Sequence, residues 1–443
     1  MQTNSLIRET RSVCPECLKT VKAEVLEIEG KVYMVKECPQ HGRFQLLLSH
    51  HPWYYRQLDD FYFSLITKSF PQRDYIVHLT DKCNLNCPIC LADSNSSQTE
   101  DYPMDSLREF LKGKRNFKID LMGAEPTTRD DLPEMVWMVK ASGNIAALHT
   151  NGIKIAEFSY LKALKERGLK EVHLQFDGFD DQAYKAIRGT GLLETKLKAL
   201  GNLERLNIPT DLKVTIVRGV NEGQMAKVLD YAVKHKFIKE VFFLGCRYLG
   251  RAKELPIERC MMPDELIDII EEQTAGRISR QSIFRFQKIY FSFLAAFSVK
   301  KCFYNQHFLI RRQGEGYLPI DKFIDLQDIS VKLDKIKNSK LSLISRFLTF
   351  DNLLRLKDLS PVALSFLRGF NLSRVSDKNI LLGFVSACDA YSFDFQIARN
   401  CGKGAVSARA GVQDIGAMDN VLRDIPQSSF EPKRELNENS CAG

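Results

Sequence analysis

The chain has 443 residues, of which 44% are hydrophobic and 27% charged, and a formal net charge of +8. This composition is ordinary for a globular protein and excludes a fibrous or low-complexity chain, while the mild basic excess suits an anionic substrate, a membrane surface or nucleic acid and selects none of them. The residues after Met1 lead into no apolar core and the longest apolar stretch, 289–299, is too short to span a bilayer, so the expectation is a cytoplasmic protein. Its 12 cysteines would then sit in a reducing compartment, where clusters read as metal ligands more often than as disulfides.

Residues 1–66 read as a small module. Cys14-Pro15-Glu16-Cys17 and Cys38-Pro39-Gln40-His41-Gly42 form two short knuckles. Between them, residues 22–36 alternate like a hairpin, with Ala23, Val25 and Glu27 followed by Val32 and Met34. Two knuckles joined by a hairpin are ribbon geometry. Cys14, Cys17, Cys38 and His41 make a Cys3His set for zinc, with a mononuclear iron as the alternative because thiolates accept either metal. A pair of unmetallated turns is the bland reading, and the expected role is structural or electron-relaying.

A linker after Ile66 leads into alternation. Strands are predicted at 75–79, 118–122, 145–149, 172–176, 213–217 and 240–244. Helices are predicted at 104–113, 132–142, 158–167, 190–206 and 224–235. Strands separated by helices argue for βαβ units and a parallel sheet, either a partial (β/α)6 barrel or a doubly wound sheet. After Gly245 the rhythm changes. Residues 263–273 read as a helix, and the aromatic-rich segment 282–297 reads as the lining of an apolar cavity or as plain core. Residues 332–357 hold seven Lys/Arg against two Asp, the pattern of a membrane-facing or headgroup-facing surface element or of ordinary surface helices. The tail 426–443 is polar and reads as disordered. The expected division is a ribbon module at 1–66, a core at 67–250, an α/β extension at 251–404 and a disordered tail at 405–443.

Cys83, Cys87 and Cys90 follow the strand at 75–79 in the run Cys83-Asn84-Leu85-Asn86-Cys87-Pro88-Ile89-Cys90. Three cysteines at this spacing can ligate three irons of one [4Fe–4S] cube and leave the fourth iron open, whereas most electron-transfer clusters use four cysteines. Later strands end in Gly123-Ala124-Glu125-Pro126, in Thr150-Asn151-Gly152, and in Gln175-Phe176-Asp177-Gly178, the last with Arg188-Gly189 downstream; residues 214–221 continue the fifth strand. Active groups in parallel α/β folds gather at the carboxyl ends of strands. Taken in order, these runs resemble the motifs of the radical S-adenosylmethionine (radical SAM) enzymes, with Ile89 where that family usually has an aromatic residue.

The resemblance implies a partial (β/α)6 radical SAM barrel with a [4Fe–4S] cluster on Cys83, Cys87 and Cys90. It implies S-adenosylmethionine chelated by the open iron. Gly123, Ala124 and Glu125 would then meet the methionine amino group. Thr150, Asn151, Gln175 and Asp177 would line the site, and Arg188 would hold the methionine carboxylate. The knuckles, together with residues 383–401, are similar to a radical SAM group that includes archaeal tetraether lipid synthase and proteins described as pterin methyltransferases. Abstraction of hydrogen from an unactivated C–H bond is the implied chemistry, with C–C bond formation on a lipid or other apolar small molecule as the leading expectation and methyl transfer to a pterin-like heterocycle as the alternative. A non-catalytic Fe–S or zinc scaffold is the alternative of another class. A ferredoxin- or flavodoxin-like reducing protein is the expected partner, peripheral membrane contact is open, and nucleic acid is not expected. Cys302, Cys388 and Cys401 are the candidates for an auxiliary cluster.

Overall fold

The computed structural model describes residues 5–65, 74–95, 100–296, 302–322, 325–327, 378–401, 404–408 and 411–413. The basic stretch 332–357 and the tail 426–443 lie outside the described residues. At the amino end, β1 (Ser5–Val13), β2 (Thr20–Ile28), β3 (Lys31–Cys38) and β4 (Gly42–Ser49) form a four-stranded antiparallel sheet in sequential order. The alternation of Val21, Ala23 and Val25 with Lys22 and Glu24 puts one face of β2 into the core. Outside the predicted hairpin, β1 and β4 add one strand on each side. Helix α1 (Pro52–Ser64) follows, with proline in its first turn.

The large sheet is built on six parallel strands: β5 (Asp74–His78), β6 (Lys118–Met122), β7 (Ile145–Thr150), β8 (Glu171–Gln175), β9 (Thr210–Ile216) and β10 (Ile238–Gly245). Each pairs with the next in chain order. The crossovers carry α2 (Met104–Leu111), α3 (Leu132–Ala141), α4 (Phe158–Arg167), α5 (Asp181–Arg188), α6 (Leu193–Arg205) and α7 (Met225–Lys234). This is a mixed α/β fold on a parallel six-stranded core. The crossover from β8 to β9 holds two helices where one was expected at 190–206. Helix α5 starts at Asp180, whose carboxylate caps the Gln182 amide, and ends at left-handed Gly189.

The strands alternate in a way that defines two faces. Ile119, Leu121, Leu148, Val172, Leu174, Leu212, Val214 and Phe243 pack into the main apolar core with the helices. The intervening residues, among them Asp120, Glu171, His173, Asp211 and Glu240, are also buried, on the opposite face. That inner face is therefore a charged layer rather than an apolar one.

Residues after Gly245 complete the same sheet instead of forming a separate one. Past α8 (Pro263–Gln273) and α9 (Arg280–Ala296), β11 (Asn305–Gln313) pairs antiparallel with β12 (Gly316–Pro319) and β13 (Asn379–Ser386), and β13 runs parallel beside β10. After a short helix α10 (Phe395–Ala398), β14 (Gly404–Ser407) runs parallel beside β5 and turns into β15 (Gly411–Gln413). Described aromatic residues of α9 pack into the core: Phe284 meets Trp53 and Tyr54, Phe291 meets Tyr62, and Phe286 meets Phe308. No described helix is long and apolar enough to cross a membrane.

Candidate active site

The loop that leaves β5 carries Cys83, Cys87 and Cys90, all with free thiols. It is held from several directions. Asn95 accepts from the Cys83 amide at 2.9 Å and donates to the carbonyls of Cys83 and Leu85 at 3.1 and 3.2 Å. The Leu85 and Ser94 amides donate to the sulfurs of Cys83 and Cys90 at 3.3 and 3.5 Å, the kind of contact that lowers the energy of a thiolate. Burial pushes the Cys83 thiol up to about 11, and Glu125, Cys87 and Cys90 add to the rise. Three thiols brought close enough to oppose one another's ionisation suit a cationic cluster.

Arg251 belongs to this loop's support and was missed in the sequence. Its Nε donates to the Cys87 carbonyl at 2.9 Å, its Nη1 to the Ser94 carbonyl at 2.7 Å, and its amide to the Cys90 carbonyl at 3.0 Å. The neighbouring Gly250 has φ +51°, and a Cβ there would overlap the carbonyls of Cys90 and Leu91. Nothing in the sequence around Gly250 signals this, since the contact spans about the whole length of the core.

At the end of β6, Gly123 passes so close to the β5 loop that a Cβ would stand 2.6 Å from the Thr80 carbonyl. The Ala124 and Glu125 amides donate to the Thr80 and Lys82 carbonyls at 2.8 and 3.1 Å. The Glu125 carboxylate is buried and turned inward. It accepts from Thr127 Oγ1 at 2.6 Å, Thr150 Oγ1 at 2.8 Å and the Asn151 amide at 2.6 Å, and burial raises its proton affinity. Glu125 thus ties the β6 and β7 ends together. Asn151 in turn donates to Asn84 Oδ1 at 2.7 Å, and its Nδ2 stands 3.9 Å from Cys83 Sγ.

Arg188 grips Asp177 through two parallel bonds, Nε to Oδ2 at 2.7 Å and Nη2 to Oδ1 at 2.9 Å, and also reaches Thr215 and the Cys87 thiol. The expected planar fork is present, but much of it is spent on Asp177. Gln175 donates to Asp177 as well. Beneath them lies Lys196 of α6, fully buried and unforeseen. Its ammonium donates to the Asn151 and Gln175 carbonyls and to Gln175 Oε1. Burial pulls Lys196 down to about 7. The structure therefore gathers the strand-end residues Glu125, Thr150, Asn151, Gln175, Asp177 and Arg188 around the cysteine loop in one connected network.

The amino-terminal ribbon brings its four candidate ligands together. The ligand atoms of Cys14, Cys17, Cys38 and His41 all lie within 4.8 Å of one another, with His41 Nδ1 3.6 Å from Cys14 Sγ and 3.5 Å from Cys38 Sγ. Backbone amides of Gln40 and His41 help hold the Cys38 thiol down to about 6. A closed set of three thiolates and one imidazole fits zinc. Cys302, Cys388 and Cys401 all act electrostatically on buried Tyr62, and burial raises the thiols of Cys302 and Cys388, but among the described residues the three do not form a convergent ligand group.

Residues 77–232 match the radical SAM superfamily, and residues 6–50 match the HMPTM N-terminal zinc ribbon domain. The chain carries a radical SAM domain, and with that domain come a [4Fe–4S] cluster and S-adenosylmethionine. It is 29% identical over 385 residues to 7,8-dihydro-6-hydroxymethylpterin dimethyltransferase of Methanocaldococcus jannaschii, across 75% of each chain. It is also 26% identical over 167 residues to a probable GTP 3′,8-cyclase of Pyrococcus abyssi, covering 37% of this chain and 54% of that one. Among solved structures, Streptococcus suis SuiB bound to its precursor peptide gives a TM-score of 0.41 at 15% identity over 49% of each chain.

Proposed function

We propose that the enzyme transfers a methyl group to a carbon of a reduced pterin or a closely related heterocycle. The observation that carries this reading is the similarity to the pterin dimethyltransferase, which runs through three quarters of both chains, beside the separate match of residues 6–50 to the HMPTM zinc ribbon. The charged inner face of the sheet favours a small polar heterocycle over the lipid chains of the leading sequence expectation, because apolar chains would leave buried Asp120, Glu171 and Asp211 facing hydrocarbon.

In this reading Cys83, Cys87 and Cys90 hold the cluster, and Cys14, Cys17, Cys38 and His41 hold zinc. When bound, the cluster supplies the electron that cleaves S-adenosylmethionine to methionine and a 5′-deoxyadenosyl radical able to remove a hydrogen atom from the substrate. The chain's own residues set the geometry. The backbone at Gly123 and Ala124, the Asn151 and Gln175 side chains and the Arg188 guanidinium face the cofactor, and Glu125, Asp177 and Lys196 fix those groups in place. A ferredoxin- or flavodoxin-like protein delivers the electron. The chain divides functionally into the ribbon at 1–66, the core at 67–250 and an extension from 251 that closes the sheet; β14 and β15 lie past the expected boundary at 404, so the extension runs into the expected tail.

The test is anaerobic turnover. Chain reconstituted with iron and sulfide receives dithionite, S-adenosylmethionine labelled in its methyl group and 7,8-dihydro-6-hydroxymethylpterin. For each methyl-for-hydrogen exchange the expected products are one 5′-deoxyadenosine with methionine, one S-adenosylhomocysteine from the second S-adenosylmethionine that gives up its methyl group, and a pterin heavier by that methyl, with two electrons drawn from dithionite and no product with Cys87→Ala. Formation of 5′-deoxyadenosine with the pterin unchanged would retain the radical chemistry and discard the substrate.

A further inference from the structure

A second group of metal-ligating side chains lies on the inner face, away from the cysteines. Asp120 of β6, His149 of β7 and His173 of β8 place their ligand atoms within 4.8 Å of one another. His149 Nε2 stands 3.6 Å from Asp120 Oδ2, and His173 Nε2 stands 3.4 Å from Asp120 Oδ1. The two imidazoles stack, with ring centroids 4.1 Å apart. We propose that Asp120, His149 and His173 form a binding site for a divalent metal ion inside the barrel.

Three observations carry this. First, both Nε2 atoms are buried and make no hydrogen bond in the structure. His173 Nε2 also stands 3.4 Å from Glu171 Oε1, so both imidazole nitrogens face carboxylates at 3.4–3.6 Å, longer than a good hydrogen bond and with room for a shared ion. His173 is only 4% exposed, so water does not serve it from outside. Second, the far nitrogen of His173 faces a carboxylate, with Nδ1 2.9 Å from Asp211 Oδ2. Metal-ligating histidines almost always turn their other nitrogen to such a partner, which fixes the tautomer and the ring orientation. Third, carboxylates crowd the inner imidazole: Asp120, Glu171 and Asp211 each place an oxygen within 3.4 Å of a His173 ring nitrogen. Lys118 pairs with Glu171 and lies 3.7 Å from Asp120 Oδ1.

Two imidazoles and one carboxylate are the donor set of non-haem iron(II), manganese(II), cobalt(II) or zinc sites with open positions. His149 is the most exposed of the three, with 22% of its side chain accessible, so open positions would look into the barrel through its side. His149 immediately precedes Thr150, and His173 sits two residues before Gln175, roughly 7 Å along the strand. An oxygen or nitrogen of a heterocyclic substrate bound to the ion would therefore lie one layer below the cofactor groups. The metal site stands whether or not the substrate is a pterin.

The probe is manganese(II), which soft thiolates of the ribbon bind poorly. It is titrated anaerobically into the cluster-loaded full chain, and the free ion is counted by electron paramagnetic resonance. The expected result is one saturable ion per chain, displaced by zinc, and lost in His149→Ala and His173→Ala. Asp211→Asn should weaken it by roughly 10–100-fold. His149 is the least buried of the three, so its variant keeps the test sound if the His173 variant fails to fold, with cluster absorbance and circular dichroism as controls. No saturable binding, or binding that survives in a folded His149→Ala chain, overturns the site.

Discussion

Lys196 shows how one buried side chain can organise a cofactor site. Its ammonium donates to carbonyl and amide oxygens at the ends of β7 and β8, with no carboxylate among its described acceptors. A lysine held at about 7 binds its proton less readily in the fold than in the open chain, where the ordinary value is 10.5. Stability linked to it is thus greatest above 10.5, falls as pH drops toward 7, and is flat below. Relative to Lys196→Met, the wild type should lose up to roughly 1.4 kcal/mol per pH unit across that window. Melting curves of both chains from pH 10 to 7 check this, and parallel curves would show that the lysine stays charged in the fold. The same variant should bind S-adenosylmethionine more weakly, because the Asn151 and Gln175 carbonyls lose their common donor. Gly250 makes a sharper case. Gly250→Ala forces a Cβ into the Cys90 and Leu91 carbonyls at a left-handed φ. Iron per chain should fall well below the wild-type value, and an unchanged iron content would show that the cysteine loop can shift.

At the scale of elements, the ribbon is fastened to the late part of the chain rather than to the core strands. Lys36 of β3 is 3% exposed and donates to Ser12 Oγ at 2.8 Å and the Ala390 carbonyl at 2.6 Å. Tyr391 packs between Phe44 of β4 and Tyr248, just beyond β10. The segment that receives them is anchored by a buried pair, Arg247 to Asp389 at 2.8 Å. Removing one partner of such a pair strands the other, so Arg247→Met should cost about 3–5 kcal/mol in a denaturant titration. A loss under 1 kcal/mol would mean that water reaches Asp389. Much of this was legible in advance. The cysteine triplet, the two knuckles and the six core strands stand in the sequence because spacing and period-two alternation are local signals. What was not legible depends on distant partners. The polar positions of Lys118–Met122 and Glu171–Gln175 look solvent-facing in the sequence, yet Asp120 and His173 are buried against each other from separate strands. Lys196 sits in a helix among Glu194 and Lys198, which pair on its surface, and nothing local marks it as the one turned inward. Helix α5 was hidden by the turn residues Asp177, Gly178 and Asp180, whose capping role requires the helix to be seen first.

Across the whole molecule, the late chain closes both sides of the core sheet. β13 covers β10 and is itself covered by β11, while β14 covers β5 with Gly404, Ala405 and Val406 opposite Tyr75, Ile76 and Val77. The second closure bears on chemistry. β5 runs straight into the cysteine loop, and the Leu79 amide just past it is already fixed to the Met122 carbonyl at 2.7 Å. With β14 in place, β5 is hydrogen-bonded on both sides and the loop starts from a rigid base. Truncation after Cys401 removes that strand, leaves the backbone of β5 open along one edge, and uncovers the apolar contacts of Val406, which is 1% exposed. Two effects should appear together. The truncated chain should hold less iron after reconstitution, because the loop that carries Cys83 loses its fixed origin, and it should associate with rising concentration as the open edge pairs between molecules. Iron analysis and size-exclusion chromatography read the two separately. Association without iron loss would mean that β6 alone positions the loop, and the role of β14 would then be to protect the edge.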